Sequence, residues 1–238
     1  MLSDITEGKM NTGANDSRSL FLVSRREALT RVGSTIVGTT MFGLAANFAV
    51  SGLAIERDAV KEAGFQAAMR KLWEDHITWT RLFIVSAVGD LPDKAATTSR
   101  LLQNQTDIGN AIKGFYGNEA GDKLTTLLRE HITTAAELVT AAKTKDAVKT
   151  ADAKKRWYAN ADAIAAFLSG ANSKNWPLND MRKMMHDHLD LTLNEATTQL
   201  TGDWDGSISA YNQIHEQILH MADMLSSGII KQFPEKFK

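Results

Sequence analysis

From Ile55 onward, apolar residues return every three or four positions, and no stretch alternates apolar with polar. Leu72, Trp73, His76, Thr80 and Phe83 share one helical face. So do Leu124, Leu127, Leu128, His131, Ala135 and Leu138, and again Met181, Met184, Met185, His188 and Thr192. A period near 3.6 with no period of two predicts an all-α chain. Breakers at 89–93, 116–118, 143–146, 170–177, 202–206 and 233–234 divide it into six helices, expected at about 56–88, 94–115, 119–143, 146–170, 178–200 and 205–232. Asp93 is expected to cap the second helix, and Pro177 to sit in the first turn of the fifth.

The odd-numbered helices resemble one another. Leu72-Trp73-Glu74-Asp75-His76-Ile77, Leu127-Leu128-Arg129-Glu130-His131-Ile132 and Met184-Met185-His186-Asp187-His188-Leu189 each run two large apolar residues, a variable one, an acid, a histidine and an aliphatic. The histidines are 55 and 57 residues apart. The even-numbered helices echo this more weakly in Gln105-Thr106-Asp107, Asn160-Ala161-Asp162 and Met221-Ala222-Asp223. A period of this length with two helices per unit predicts a six-helix bundle of three pseudo-repeated αα-hairpins, at about 56–116, 119–171 and 178–232.

In an antiparallel hairpin, residues equidistant from the turn lie at one height. His76 and Asp107 have their midpoint at Leu91-Pro92, His131 and Asp162 beside Lys145-Asp146, and His188 and Asp223 at Asp205-Gly206. Each repeat would therefore set a histidine level with an aspartate, about 22 Å from its turn at the helical rise. Three imidazoles from separate helices are a donor set for Zn, Cu, Fe or Mn, which carboxylates complete or orient from behind. The expected site is His76, His131 and His188 as ligands, with Asp107, Asp162 and Asp223 as ligands or orienting partners. His220, one turn before Asp223, is the best additional member. The acids Asp75, Glu130 and Asp187 fall about 100° around the helix from the histidines and point elsewhere.

The first fifty residues differ from the rest. A polar, irregular leader over 1–23 precedes Ser24-Arg25-Arg26-Glu27-Ala28-Leu29-Thr30, and no charge follows from Val32 to Val50. Seven glycine, serine and threonine residues interrupt that segment, which makes it a poor membrane span. Paired arginines ahead of a weakly apolar segment resemble a twin-arginine (Tat) signal peptide, although Ala28 and Thr30 depart from its usual Phe and Lys. The resemblance implies cleavage after Ser51 or Ala54, a helical domain over 55–238, a periplasmic or secreted protein and no stable membrane span after cleavage. The region from 60 to 235 resembles exported bacterial helical proteins of unassigned function, which bring no functional residues with them.

Composition narrows the chemistry. Among 238 residues there is no cysteine, so disulfides, thiolate metal sites and thiol nucleophiles are excluded. A net charge of -1 with no basic stripe argues against a nucleic-acid partner. No phosphate-binding glycine loop, G-x-S-x-G elbow, H-E-x-x-H pair or carboxylate-bridged diiron spacing occurs. What is left is an exported helical protein that binds a metal ion or small polar ligand at a His/Asp layer. One alternative is a periplasmic structural or interaction protein in which the layer is only a buried polar network. Another is a metal-dependent oxidoreductase or hydrolase that uses the same layer with an open coordination position.

Overall fold

The computed structural model describes residues 42–238, with side chains described from Glu56 onward, Arg57 excepted. The leader, the paired arginines and the first part of the uncharged segment lie outside the described residues. Contacts divide the chain between Ala46 and Asn47, and the packing and contacts below concern the unit from Asn47 to Lys238.

The helices are α1 (Phe42–Gly89), α2 (Lys94–Tyr116), α3 (Asn118–Lys143), α4 (Ala147–Ala171), α5 (Leu178–Thr201) and α6 (Trp204–Gln232), followed by a 3-10 turn at Pro234–Lys236. No strand occurs among the described residues, and the chain is an all-α bundle. Five helices begin and end within a residue of expectation. α1 begins at Phe42 rather than near residue 56, because residues 42–55 hold no proline and only Gly43 and Gly52 to weaken a helix. It runs through both expected cleavage positions. No helix among the described residues is long and apolar enough to cross a membrane.

Local chemistry ends the helices. The Asp146 carboxylate accepts the Lys149 N–H at the start of α4, and Asp203 accepts the Gly206 N–H at the start of α6. Asp93 does not cap α2 with its side chain. Its backbone is already helical, and its carboxylate accepts the Ser86 hydroxyl at 2.7 Å, fastening the turn to α1. Pro177 stands one residue ahead of α5, at the N-cap with ψ 139°, and not in the first helical turn. Gly117 and Gly202 end α2 and α5 with φ of 86° and 78°, where a side chain would be strained.

Sequence neighbours α2 to α6 pack in succession. α1 closes the bundle: Asn104 of α2 donates to its Leu72 carbonyl, and its Arg70 pairs with Asp223 of α6. Two apolar clusters form the core. The larger includes Trp73, Leu128, Trp157 and Met185; the smaller includes Phe83, Ile84, Val139 and Ala196. On α1, α3 and α5 alike, the buried histidine falls between a residue of the larger cluster and one of the smaller.

Candidate functional site

His76, His131 and His188 are 3%, 3% and 4% exposed, so each imidazole must find its partners inside the protein. The partners are side-chain amides on the following helix. His131 Nδ1–H donates to Asn160 Oδ1 at 3.0 Å, and Asn160 Nδ2 donates to the Leu127 carbonyl at 3.1 Å. His188 Nδ1–H donates to Gln217 Oε1 at 3.1 Å, and Gln217 Nε2 donates to the Met184 carbonyl at 3.1 Å. At His76 two neighbours share the work. Gln105 Nε2 lies 3.3 Å from His76 Nδ1, while Asn104 Nδ2 donates to the Leu72 carbonyl at 3.0 Å. In all three cases the amide facing the ring lies 29 residues beyond the histidine, and the carbonyl four residues before it. The residues midway between each pair fall in the turns that begin at Asp90, Thr144 and Gly202, which is why a helical hairpin brings them to one height.

The second side of the amide fixes the tautomer of two of the rings. Because the Asn160 and Gln217 nitrogens face carbonyls, their oxygens face the rings, and His131 and His188 carry the proton on Nδ1. Trp157 Nε1–H donates to His131 Nε2 at 3.2 Å, so that ring is fully used. Gln105 is turned the other way, since its nitrogen also donates to the Leu101 carbonyl at 2.8 Å. The same nitrogen donates to Asn104 Oδ1 at 3.1 Å, so its two hydrogens meet oxygens that lie nearer than His76 Nδ1 at 3.3 Å. Among the described residues, no hydrogen bond reaches Nε2 of His76 or of His188. Trp73 Nε1 and Gln105 Oε1 are fully buried without a hydrogen-bond partner.

All three imidazoles are neutral at neutral pH. Burial pushes His131 down to about 3 and His188 down to about 4, against the smaller upward pull of Asn160 and Gln217. Burial also holds His76 well below the usual imidazole range. The His188 and His131 rings lower it further, and Gln105 and Asn104 oppose them. The ring centroids of His76 and His188 are 5.8 Å apart. A second buried polar cluster lies toward the C-terminal end of α1, where Arg81 Nη1 donates to Glu195 Oε1 at 2.7 Å. Burial raises the Glu195 carboxyl to about 7, and Arg81 pulls it down.

The aspartates expected beside the histidines are elsewhere. Asp107, Asp162 and Asp223 have side chains 36%, 44% and 39% exposed, and each faces an arginine: Arg100, Arg182 and Arg70 respectively. Asp162 also accepts from His186 Nε2 at 3.1 Å. A carboxylate at the layer would bury a charge that a neutral imidazole does not balance, whereas an amide buries none. His220 is exposed on α6 and does not join the layer. Asp75 and Asp187 pair with Lys71 and Lys183 on their own helices, and Glu130 is exposed. Among the described residues, no group of three or more histidine or carboxylate side chains stands close enough to hold a metal ion.

Sequence reasoning missed the amides. Gln105 and Asn160 each stand two residues before the aspartate singled out, and the constant spacing of 29 from the histidines was the available signal. Gln217 lies six residues before Asp223, so following the aspartates led away from it. No family model matches the chain, and neither a curated protein nor a solved structure does.

Proposed function

We propose that the chain is a small-ligand-binding bundle of three pseudo-repeated αα-hairpins, with a small polar molecule taken up in the histidine layer. One observation carries the reading: the layer does not satisfy itself. Nε2 of His76 and of His188, Trp73 Nε1 and Gln105 Oε1 are polar atoms of buried residues with no hydrogen bond among the described residues. Trp73 Nε1 and Gln105 Oε1 are fully buried, and such a group left unmet costs about 1–3 kcal/mol, so a molecule that meets them gains affinity. Trp73 Nε1–H donates, while Gln105 Oε1 and His188 Nε2 accept. That set suits an uncharged molecule bearing hydroxyl or amide groups.

A Zn, Cu, Fe or Mn ion fits less well. Among the described residues, no group of three or more histidine or carboxylate side chains could hold one. The expected carboxylate ligands face arginines at the surface. Export to the periplasm is part of the proposal and rests on Ser24-Arg25-Arg26 and the uncharged segment behind it. A purely structural layer is the second reading, favoured by the way each amide joins a histidine on one side to a backbone carbonyl on the other.

Native mass spectrometry with elemental analysis, on protein purified from its own cells, separates these readings. The expected result is one small organic molecule per chain, absent from the His188→Leu variant. A stoichiometric metal would replace the molecule by an ion. Neither species on the folded wild-type protein would leave the layer as structure alone.

A further inference from the structure

Seven residues past a histidine, a helix has made two turns and presents the same face. At that position α1 carries Phe83 and α3 carries Leu138, both buried in the apolar core. α5 carries Glu195 there, 1% exposed. A carboxylate at such a place pays a desolvation cost that Phe or Leu does not, so packing does not account for it. Folds break their own pattern in this way at functional positions.

The partner of Glu195 comes from another helix and stands partly outside. The Arg81 side chain of α1 is 23% exposed, against 2% for that of Glu195. Arg81 Nη1 donates to Glu195 Oε1 at 2.7 Å, to Ser207 Oγ at 3.2 Å and to the Ser207 carbonyl at 3.3 Å. The Ser207 hydroxyl donates in turn to Gln199 Oε1 at 3.0 Å. One guanidinium nitrogen therefore reaches α5 and the first turn of α6 together, beside the turn that joins them. On its outer side the guanidinium lies 5.1 Å from the centre of the Tyr211 ring, whose hydroxyl is 3.3 Å from Thr78 Oγ1. One turn further along α6, His215 pairs with Glu74 of α1 at 2.7 Å. Among the described residues, Arg81 is the charged group that acts on the Glu195 carboxyl, pulling it down against the burial that raises it to about 7.

The charge on Glu195 decides where the guanidinium rests. An ionised carboxylate draws it inward through a charge-assisted hydrogen bond. A protonated carboxyl stays buried at little cost but holds the guanidinium about half as strongly, while water remains open to the exposed side of Arg81. We propose that this junction is a proton-operated latch: with Glu195 ionised, Arg81 ties the turn end of α5 and α6 to α1, and with Glu195 protonated, the guanidinium turns to solvent and that end loosens. The latch does not depend on what the histidine layer binds.

The test uses the full chain labelled with 13C,15N-arginine and 13C-glutamate. The Arg81 Nε–Cζ correlation, assigned from Arg81→Lys, follows the guanidinium without relying on an exchanging proton. The Glu195 carboxyl carbon, assigned from Glu195→Gln, follows the acid. Between pH 8.5 and 6 the Arg81 signal is expected to move to the position shared by exposed arginines, with the midpoint at which Glu195 titrates. Glu195→Gln should hold Arg81 at that position at both ends of the range. Arg81→Gln should raise the Glu195 midpoint, because the guanidinium holds it down. Backbone amides 207–211 should exchange about fivefold to tenfold faster at pH 6 than at pH 8.5 once intrinsic rates are divided out, the difference between a charged and a neutral hydrogen bond. Amides 161–165 of α4 should not change. The proposal is overturned if the Arg81 signal stays in place while Glu195 titrates, or if Glu195 does not titrate in this range. Both results are read on the wild-type chain, so they decide the matter even if a variant fails to fold. Arg81 at its pH 8.5 position in a folded Glu195→Gln protein would overturn it as well.

Discussion

Removing the Asn160 side-chain amide would strand the Nδ1–H of His131, a buried ring. Asn160→Leu is therefore expected to destabilise the protein by about 1–3 kcal/mol, read as a lower urea midpoint at pH 7. Asp162→Asn, two residues away, breaks a pair exposed on both sides and should cost less than about 1 kcal/mol. The contrast shows what was legible at this scale. The histidines stood out because a titratable residue on an apolar face, three times at one register, is conspicuous in any sequence. Their partners did not, because a charged residue draws the eye more than an amide, while a buried neutral ring needs a neutral partner. Electrostatics decides between Asn160 and Asp162, and spacing alone does not.

At the scale of the element, helix bounds were readable wherever glycine, proline or an aspartate cap interrupted the periodicity. Asp146 and Asp203 act through their carboxylates as such residues do. Asp93 occupies the same kind of position but is drawn away by the Ser86 hydroxyl, a contact that exists only once α1 and α2 have folded against each other. Tertiary proximity also explains Gly109 and Gly121. A Cβ at either would lie 2.6 Å from the other's carbonyl oxygen, so α2 and α3 cross at a distance only glycine permits. Nothing in the local sequence around either glycine announces that crossing. The C-terminal residues are a further case. Phe237, flanked by Lys236 and Lys238, is buried against Phe65 and Phe115.

For the whole molecule, three buried neutral imidazoles make stability depend on pH with a definite sign. Their native values are depressed below the unfolded value of about 6.5, so the unfolded chain binds more protons as the pH falls. Stability from the layer is complete above about pH 6.5 and is lost progressively as the pH drops toward 4 and then 3. Glu195 acts in the opposite sense, because its native value near 7 exceeds the unfolded one and the native state takes up that proton first. Three groups against one leave a net uptake of about two protons on unfolding. Urea-derived stability should then fall by roughly 2–3 kcal/mol per pH unit between pH 6 and 5. Replacing Glu195 by Gln should steepen the fall.

The same three rings carry the central claim, that a neutral, amide-tethered layer leaves Nε2 of His76 and His188 available to a ligand. Its most direct test is the imidazole 15N spectrum of the folded protein, assigned by single histidine substitutions and followed from pH 7.5 to 5. Neutral rings are expected throughout for His76, His131 and His188, with the proton on Nδ1 in His131 and His188. Midpoints near 6.5 for these rings, or protonation of both nitrogens at pH 7, would contradict it.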